Sequence, residues 1–199
     1  MKRDLISSAI GILVLTLVFG ILYPLAITGV SQVAFPGNAN GQQIDVAGKL
    51  VGSKLIGQSF GGQRRYFQSR PSATTPPDNP AATTFSNLGP NNVATEKAIA
   101  ANIDAYLKLE RPYDPGLTAA AVPVDAADTS ASGIDPDISV ANAEIQAHRV
   151  ASVRDLPLAR VMKLVSGYTH GRGLGFSGEP GVNVLELNLA LDRLSAAAT

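Results

Sequence analysis

Cysteine is missing altogether from the 199 residues, and only two histidines are present. The first absence rules out a disulfide framework, a thiolate nucleophile and a zinc–thiolate site. The second leaves little from which to assemble a rich metal centre. Net charge is lacking too, because 16 Lys and Arg balance 16 Asp and Glu. With no basic excess and no long basic tract, there is no electrostatic footprint for a nucleic-acid backbone. Three motifs that would carry catalysis or ion binding are also absent. The run Gly171-Arg172-Gly173-Leu174-Gly175, with Gly178 beyond, has no Gly-Lys-Ser/Thr ending. No nucleophile elbow surrounds Ser130 or Ser132. Asp125, Asp128, Asp135 and Asp137 miss the calcium-loop spacing, with no Glu at the closing position.

The most informative absence is local. From Leu5 to Ile44 there is not one charged side chain. Within that stretch Ile6 to Val30 reads as a helix long enough to cross a bilayer, which takes about 20 largely apolar residues. Residues 1–5 are then a short N-terminal segment and residues 31–199 the rest of the protein. Lys2 and Arg3 precede the helix, so the positive-inside rule keeps the N-terminus cytoplasmic and sends the following domain outside. A cleaved signal peptide is the competing reading, but this apolar core is longer than usual and Ala26-Ile27-Thr28 matches a cleavage site poorly. A lipoprotein would need the cysteine that is missing. Small residues recur every four positions, at Ser7 and Gly11 and again at Gly20, Pro24 and Thr28. That spacing lets a neighbouring backbone approach, although Gly and Pro are also common in any spanning helix.

Beyond the helix, the chain reads as one mixed α/β (α+β) domain. Val46 to Ser53 and Leu55 to Gln58 suggest short strands broken by turns. Residues 69–92 are rich in Pro, Ser, Thr and Asn and predict a long loop. Ile99, Ile103 and Leu107 predict a helix stopped at Arg111-Pro112, followed by a short strand near Ala121–Val124. A second helix is expected from about Val140 to Arg154, capped by Ser139, with Ala143, Ala147, Val150 and Ala151 inward. A third starts at Pro157 and turns Leu158, Val161, Met162 and Val165 to the core. Val182–Leu194 carries both strand and helix periodicity, with helix favoured in its second half.

Several groups invite a functional reading beside a structural one. Gly171 to Gly178 with Arg172 is either a phosphate cradle or a tight turn using positive backbone angles. The four aspartates either hold an ion weakly or sit solvated in turns. His170 reads as a helix C-terminal residue, and His148 as a structural or exposed helix position. Arg64, Arg65 and Arg70 bracket Tyr66-Phe67, a composition typical of interface hot spots but equally of solvated charge around a buried aromatic pair.

Taken in order, the blocks Tyr23-Pro24-Leu25, Phe35-Pro36, Gly52-Ser53-Lys54-Leu55-Ile56-Gly57-Gln58, Arg70-Pro71-Ser72-Ala73, Ser86-Asn87-Leu88-Gly89-Pro90, Ser130-Ala131-Ser132-Gly133-Ile134-Asp135-Pro136, Arg149-Val150-Ala151 and Gly178-Glu179-Pro180 are specific. Together they resemble the C subunit of the Kdp-type potassium-transporting P-type ATPase, a bacterial high-affinity uptake complex. The resemblance implies one spanning helix in the bacterial inner membrane with the bulk of the chain outside. It implies three partners: a channel-like potassium-translocating subunit, the P-type ATPase catalytic subunit and a very small hydrophobic subunit. ATP and potassium would be handled by the complex, and this chain would be a non-catalytic accessory that stabilises assembly near the outer ion entrance. Interface candidates are Ser7, Gly11, Gly20, Pro24, Thr28, Arg64, Tyr66, Phe67, Arg70 and Asn87. A nucleotide-assisting role on the Gly171–Gly178 loop and a cation-binding module on the aspartates are the alternatives. The chain departs from the family pattern at Thr84-Phe85, where two Gly are common, at Asp137 for His, at Val140 for Pro and at Gly181 for Arg.

Overall fold

A computed structural model describes residues 1–196. The chain divides into two compact units, Met1–Val51 and Gly52–Thr199.

The first unit is dominated by an unbroken helical rod. Helix α1 (Lys2–Leu17) passes through a π turn (Val18–Leu22) into α2 (Tyr23–Ala34). It exceeds the expected 6–30 at both ends, giving 33 helical residues, long and apolar enough to cross a membrane, of which none is buried within the molecule. At 1.5 Å per residue the rod is roughly 50 Å long, enough to pass the hydrocarbon layer and reach both interfaces. The π turn has an identifiable cause. Pro24 lies in the helix interior without an N–H, and the Tyr23 N–H bonds the Val18 carbonyl five residues back. Phe35 leaves helical geometry, with φ −140°. A short helix α3 (Pro36–Ala39) follows, tied back by reciprocal side-chain hydrogen bonds between Asn40 and Gln32 of 3.1 and 3.2 Å. Strands β1 (Gln43–Val46) and β2 (Lys49–Ser53) form a hairpin. Ala47 and Gly48 between them both have positive φ, the mirror-image turn that suits strand twist. The strand suggested at Leu55–Gln58 does not form. The Gly57 N–H instead donates to the Ile134 carbonyl at 2.7 Å, and a Cβ on Gly57 would stand 2.6 Å from the Asp135 carbonyl oxygen.

The second unit contains helix α4 (Val93–Glu110), a short α5 (Val124–Ala127), strand β3 (Asp137–Ser139), helices α6 (Val140–Val153) and α7 (Leu158–Gly167), strands β4 (Thr169–His170) and β5 (Gly181–Asn183), and helix α8 (Val184–Ala196). The expected strand near Ala121–Val124 is a correction: Ala119–Ala121 make a 3₁₀ turn and Pro123 opens α5. Ala-rich sequence favours helix, and Pro suits the position before it. Asn92 caps α4 by accepting from the Ala94 N–H, and Ser139 caps α6 by accepting from the Asn142 N–H at 3.1 Å. The sheet has order β3-β5-β4, antiparallel throughout, with Ile138 opposite Val182 and Thr169 also opposite Val182. The ambiguous C-terminal run resolves into both of its readings, strand to Asn183 and helix from Val184.

The core joins Phe67, Ile138, Val182 and Val184 to the inner faces of α6, α7 and α8. Ala143, Ala147 and Ala151 keep the α6 surface low, so α7 packs closely upon it. On α7, Val161 and Val165 are buried as expected, Met162 is half-buried, and Leu158 is exposed at the helix start.

Candidate functional site

On the helical rod, Ser7, Gly11, Gly20, Pro24 and Thr28 are all exposed or nearly so. They make two patches, Ser7–Gly11 and Gly20–Pro24–Thr28, because the step from Gly11 to Gly20 is about two and a half helical turns, and the π turn at Val18–Leu22 alters that phase. A Cβ added at Gly11 would meet nothing within 4 Å, so the surface there is open to another backbone. The π turn also leaves an acceptor. The Phe19 carbonyl could be served four residues on by Tyr23, whose N–H goes to Val18, or five on by Pro24, which has none. In hydrocarbon such a group needs a donor from elsewhere.

The Arg/aromatic group separates. Phe67 is fully buried in the core, so it is withdrawn as a contact residue. Tyr66 is half-buried, with the guanidiniums of Arg65 and Arg154 over its ring at 5.4 and 4.9 Å and Phe60 against it. Its hydroxyl donates to Asp192 at 2.8 Å, and burial with that carboxylate raises the phenol above its ordinary range. The Arg64 side chain is exposed, whereas its carbonyl accepts from Arg149. Arg70 is half-buried and donates to Asp135 at 2.9 Å. Asn87 is exposed in the long loop.

Residues 64–68 belong to no sheet, and buried side chains take the place of a partner strand. Arg149, 0% exposed, donates to the Arg64 and Tyr66 carbonyls. Asn188 accepts from the Phe67 N–H at 2.9 Å and donates to its carbonyl at 3.0 Å. Gln146 does the same for Gln68, at 2.7 and 3.1 Å. The Arg149 charge is balanced by Glu110, also buried, at 2.9 and 3.1 Å. Burial pushes the Glu110 carboxyl up and the guanidinium opposes that shift. Sequence reasoning missed this network: Gln146, Arg149 and Asn188 stood out only as residues of the family-like blocks, with no sign that they meet in space. The one available signal was that all three lie on the same helix face as buried neighbours, Val150 and Leu187 among them.

The Gly171–Gly178 run is the connection of the β4–β5 hairpin. Gly173 and Ser177 bridge, Leu174, Gly175 and Gly178 have positive φ, and Arg172 pairs with Glu179 at 2.6 Å. No helix begins at these glycines, so the geometry is that of a tight turn and lacks the helix N-terminus on which a phosphate loop depends. The four aspartates are spread over separate tasks, which corrects their reading as a cluster. Asp125 accepts from the Ser139 N–H and from Asn142, both at 2.8 Å, and Asp128 from the Thr129 N–H. Asp135 holds Arg70, and Asp137 meets His170 at 3.0 Å. Among the described residues no three His, Cys, Asp or Glu stand close enough to share a metal. His170 lies in β4 and not at a helix end; His148 is half-buried on α6.

A sequence-family model described as K+-transporting ATPase, c chain (KdpC), matches residues 5–193, helix and domain together. Curated relatives carry the name potassium-transporting ATPase KdpC subunit. One from Mycobacterium tuberculosis (strain H37Rv) is 46% identical over 195 residues, 98% of this chain and 100% of the relative. One from Methylococcus capsulatus is 52% identical over 184 residues, covering 92% and 94%. One from Methylibium petroleiphilum is 49% identical over 193 residues, covering 96% and 98%. The chain therefore belongs to the KdpC family, the c chain of the K+-transporting ATPase, as a membrane-anchored accessory subunit that is not itself the enzyme.

Proposed function

We propose that this chain holds a potassium-transporting ATPase together from the outer side of the bacterial inner membrane. The N-terminus is cytoplasmic, as Lys2 and Arg3 ahead of the helix argue, and residues 31–199 face the periplasm or exterior. The partners are the channel-like subunit, the ATP-hydrolysing subunit and the very small hydrophobic subunit. They bind and move ATP and potassium, while this chain supplies contact surface near the outer ion entrance. The observation that carries this reading is the helical rod, whose open glycine patch, with a Phe19 carbonyl that neither Tyr23 nor Pro24 serves, suits contact with another transmembrane helix. The Gly171–Gly178 loop supports no nucleotide role, because its guanidinium already pairs with Glu179. The test is potassium-stimulated ATPase activity of the solubilised complex, prepared with and without this chain, alongside its subunit composition. Dissociation or lowered activity on omission is expected. An intact and fully active complex without the chain would overturn the role.

A further inference from the structure

The domain carries a cleft of about 380 Å³ between the loops around residues 59–62 and 69–78 and helices α4 and α6. Phe60, Pro71, Pro77, Ala105 and Leu109 make much of its wall apolar. Its charged lining residues are Arg70, Asp78 and Glu110, and the Tyr106 hydroxyl beside them donates to Asn142 at 2.8 Å. Two of the charged residues are answered: Glu110 by the Arg149 guanidinium, and Arg70 by Asp135 and the Thr129 carbonyl. The Arg70 Nε has no partner among the described residues but is closed off from solvent, so it presents nothing to a ligand in the cleft. Asp78 is left over. Its N–H donates to Ser72 Oγ at 3.0 Å, but its half-buried carboxylate has no hydrogen bond or ion pair among the described residues. The nearby hydroxyls are engaged elsewhere, Ser72 donating to the Gly133 carbonyl and Thr74 to the Pro76 carbonyl. The cleft thus holds one uncompensated negative charge on a wall that is otherwise apolar or saturated.

We propose that this cleft receives a lysine or arginine side chain from another subunit of the complex, its methylenes along the apolar wall and its cationic head on the Asp78 carboxylate. The inference rests on the assembly role above. Long cationic side chains bury their stems on apolar surface and keep the head on a polar group, which is the pattern of this lining. Burial and the Asp135 charge push Asp78 up to about 6, so the site pays for an unpaired carboxylate that a cation would relieve. Asp78 sits in the left-handed region at φ 58°, a conformation Asp and Asn tolerate, held there by the Ser72 and Thr74 hydroxyls. The carboxylate is therefore positioned before any partner arrives. A bare alkali cation fits less well, because it wants a shell of oxygens and the wall is largely carbon.

The test uses the whole complex carrying Asp78→Asn, with Asp104→Asn on the exposed face of α4 as the control. Asn keeps the backbone conformation and removes only the charge, so the variant folds. Retention of the chain on the complex is followed across a salt gradient. Asp78→Asn is expected to weaken retention by at least about tenfold, the scale for truncating one partner of a desolvated charge pair, with no change in Asp104→Asn. Retention equal to wild type would overturn the inference and leave the assembly role standing. A wild-type chain that does not co-purify at all would overturn both. In a second arm the full chain in detergent is titrated with butylammonium and with potassium chloride. Asp78-dependent binding of either probe, with retention in the complex unaffected, would make this a free-cation site and overturn the subunit contact.

Discussion

Two residues set opposite terms in the stability of the domain. Arg149 is wholly buried and its guanidinium bonds Glu110, Gln146 and two carbonyls of the 64–66 segment. Arg149→Ala would strand a buried carboxylate and free those carbonyls, and the expected loss is about 3–5 kcal/mol, read from urea denaturation. Arg149→Lys is expected to recover only part of it, since an ammonium cannot span a carboxylate and two carbonyls in one plane. Asp78 acts the other way. Its carboxyl is raised to about 6 from an ordinary 3.8, so the folded chain holds its proton more tightly than the unfolded one. The stabilisation is full below about pH 4 and lost as pH rises through about 6. At pH 7 Asp78→Asn should therefore stabilise the chain, by about 1 kcal/mol once solvent screening is allowed for. The gain should disappear in melts run near pH 4. Neither role was legible beforehand: Arg149 stood out only as part of the Arg149-Val150-Ala151 block beside buried helix positions, and Asp78 lies in a loop whose shape is set by hydroxyls far from periodic sequence.

Among the elements, the helical rod was the most legible and its π turn the least. An uncharged run from Leu5 to Ile44 specifies a bilayer helix by composition alone, whereas the turn depends on where Pro24 removes a donor. Pro24→Ala should restore the donor, return Tyr23 to the Phe19 carbonyl and rotate α2 relative to α1. The rod would be locally firmer, with higher amide-exchange protection at residues 19–25, while assembly of the complex should weaken because the two small-residue patches change phase. Opposite behaviour, tighter assembly with unchanged exchange, would show that the π turn has no part in docking. The β4–β5 connection is simpler. Arg172 and Glu179 are both exposed, so Arg172→Ala should shift the unfolding free energy by no more than about 0.5 kcal/mol in a thermal melt. The helices α6 and α7 were readable from apolar spacing, with Leu158 the exception, because the first turn of a helix often leaves the core before its face closes.

For the whole molecule, the two units invite separate removal. Replacing residues 2–34 with an unrelated apolar helix keeps the chain in the membrane and removes only the patches and the Phe19 acceptor. Co-purification with the other subunits is then expected to fall, while the domain retains its own melting transition, since none of the rod is buried within the molecule. Family membership was visible in the sequence because its blocks run in order along the chain, although Thr84-Phe85, Asp137, Val140 and Gly181 depart from them. In the structure two of those departures meet: His170 contacts Asp137 and lies over Gly181, where a Cβ would stand 2.8 Å from its Nε2.

The sequence by itself determined the membrane helix, the α+β class, the helix cap at Ser139 and the family, because each rests on local composition, short-range spacing or ordered motifs. Tertiary structure alone decided which polar residues are internal. Arg149, Gln146 and Asn188 are buried because a segment without a strand partner needs its amides satisfied, and that segment lies far from them in the chain. It likewise separated the four aspartates and left Asp78 without a partner among the described residues, since pairing is fixed by which loops converge and not by distance along the sequence.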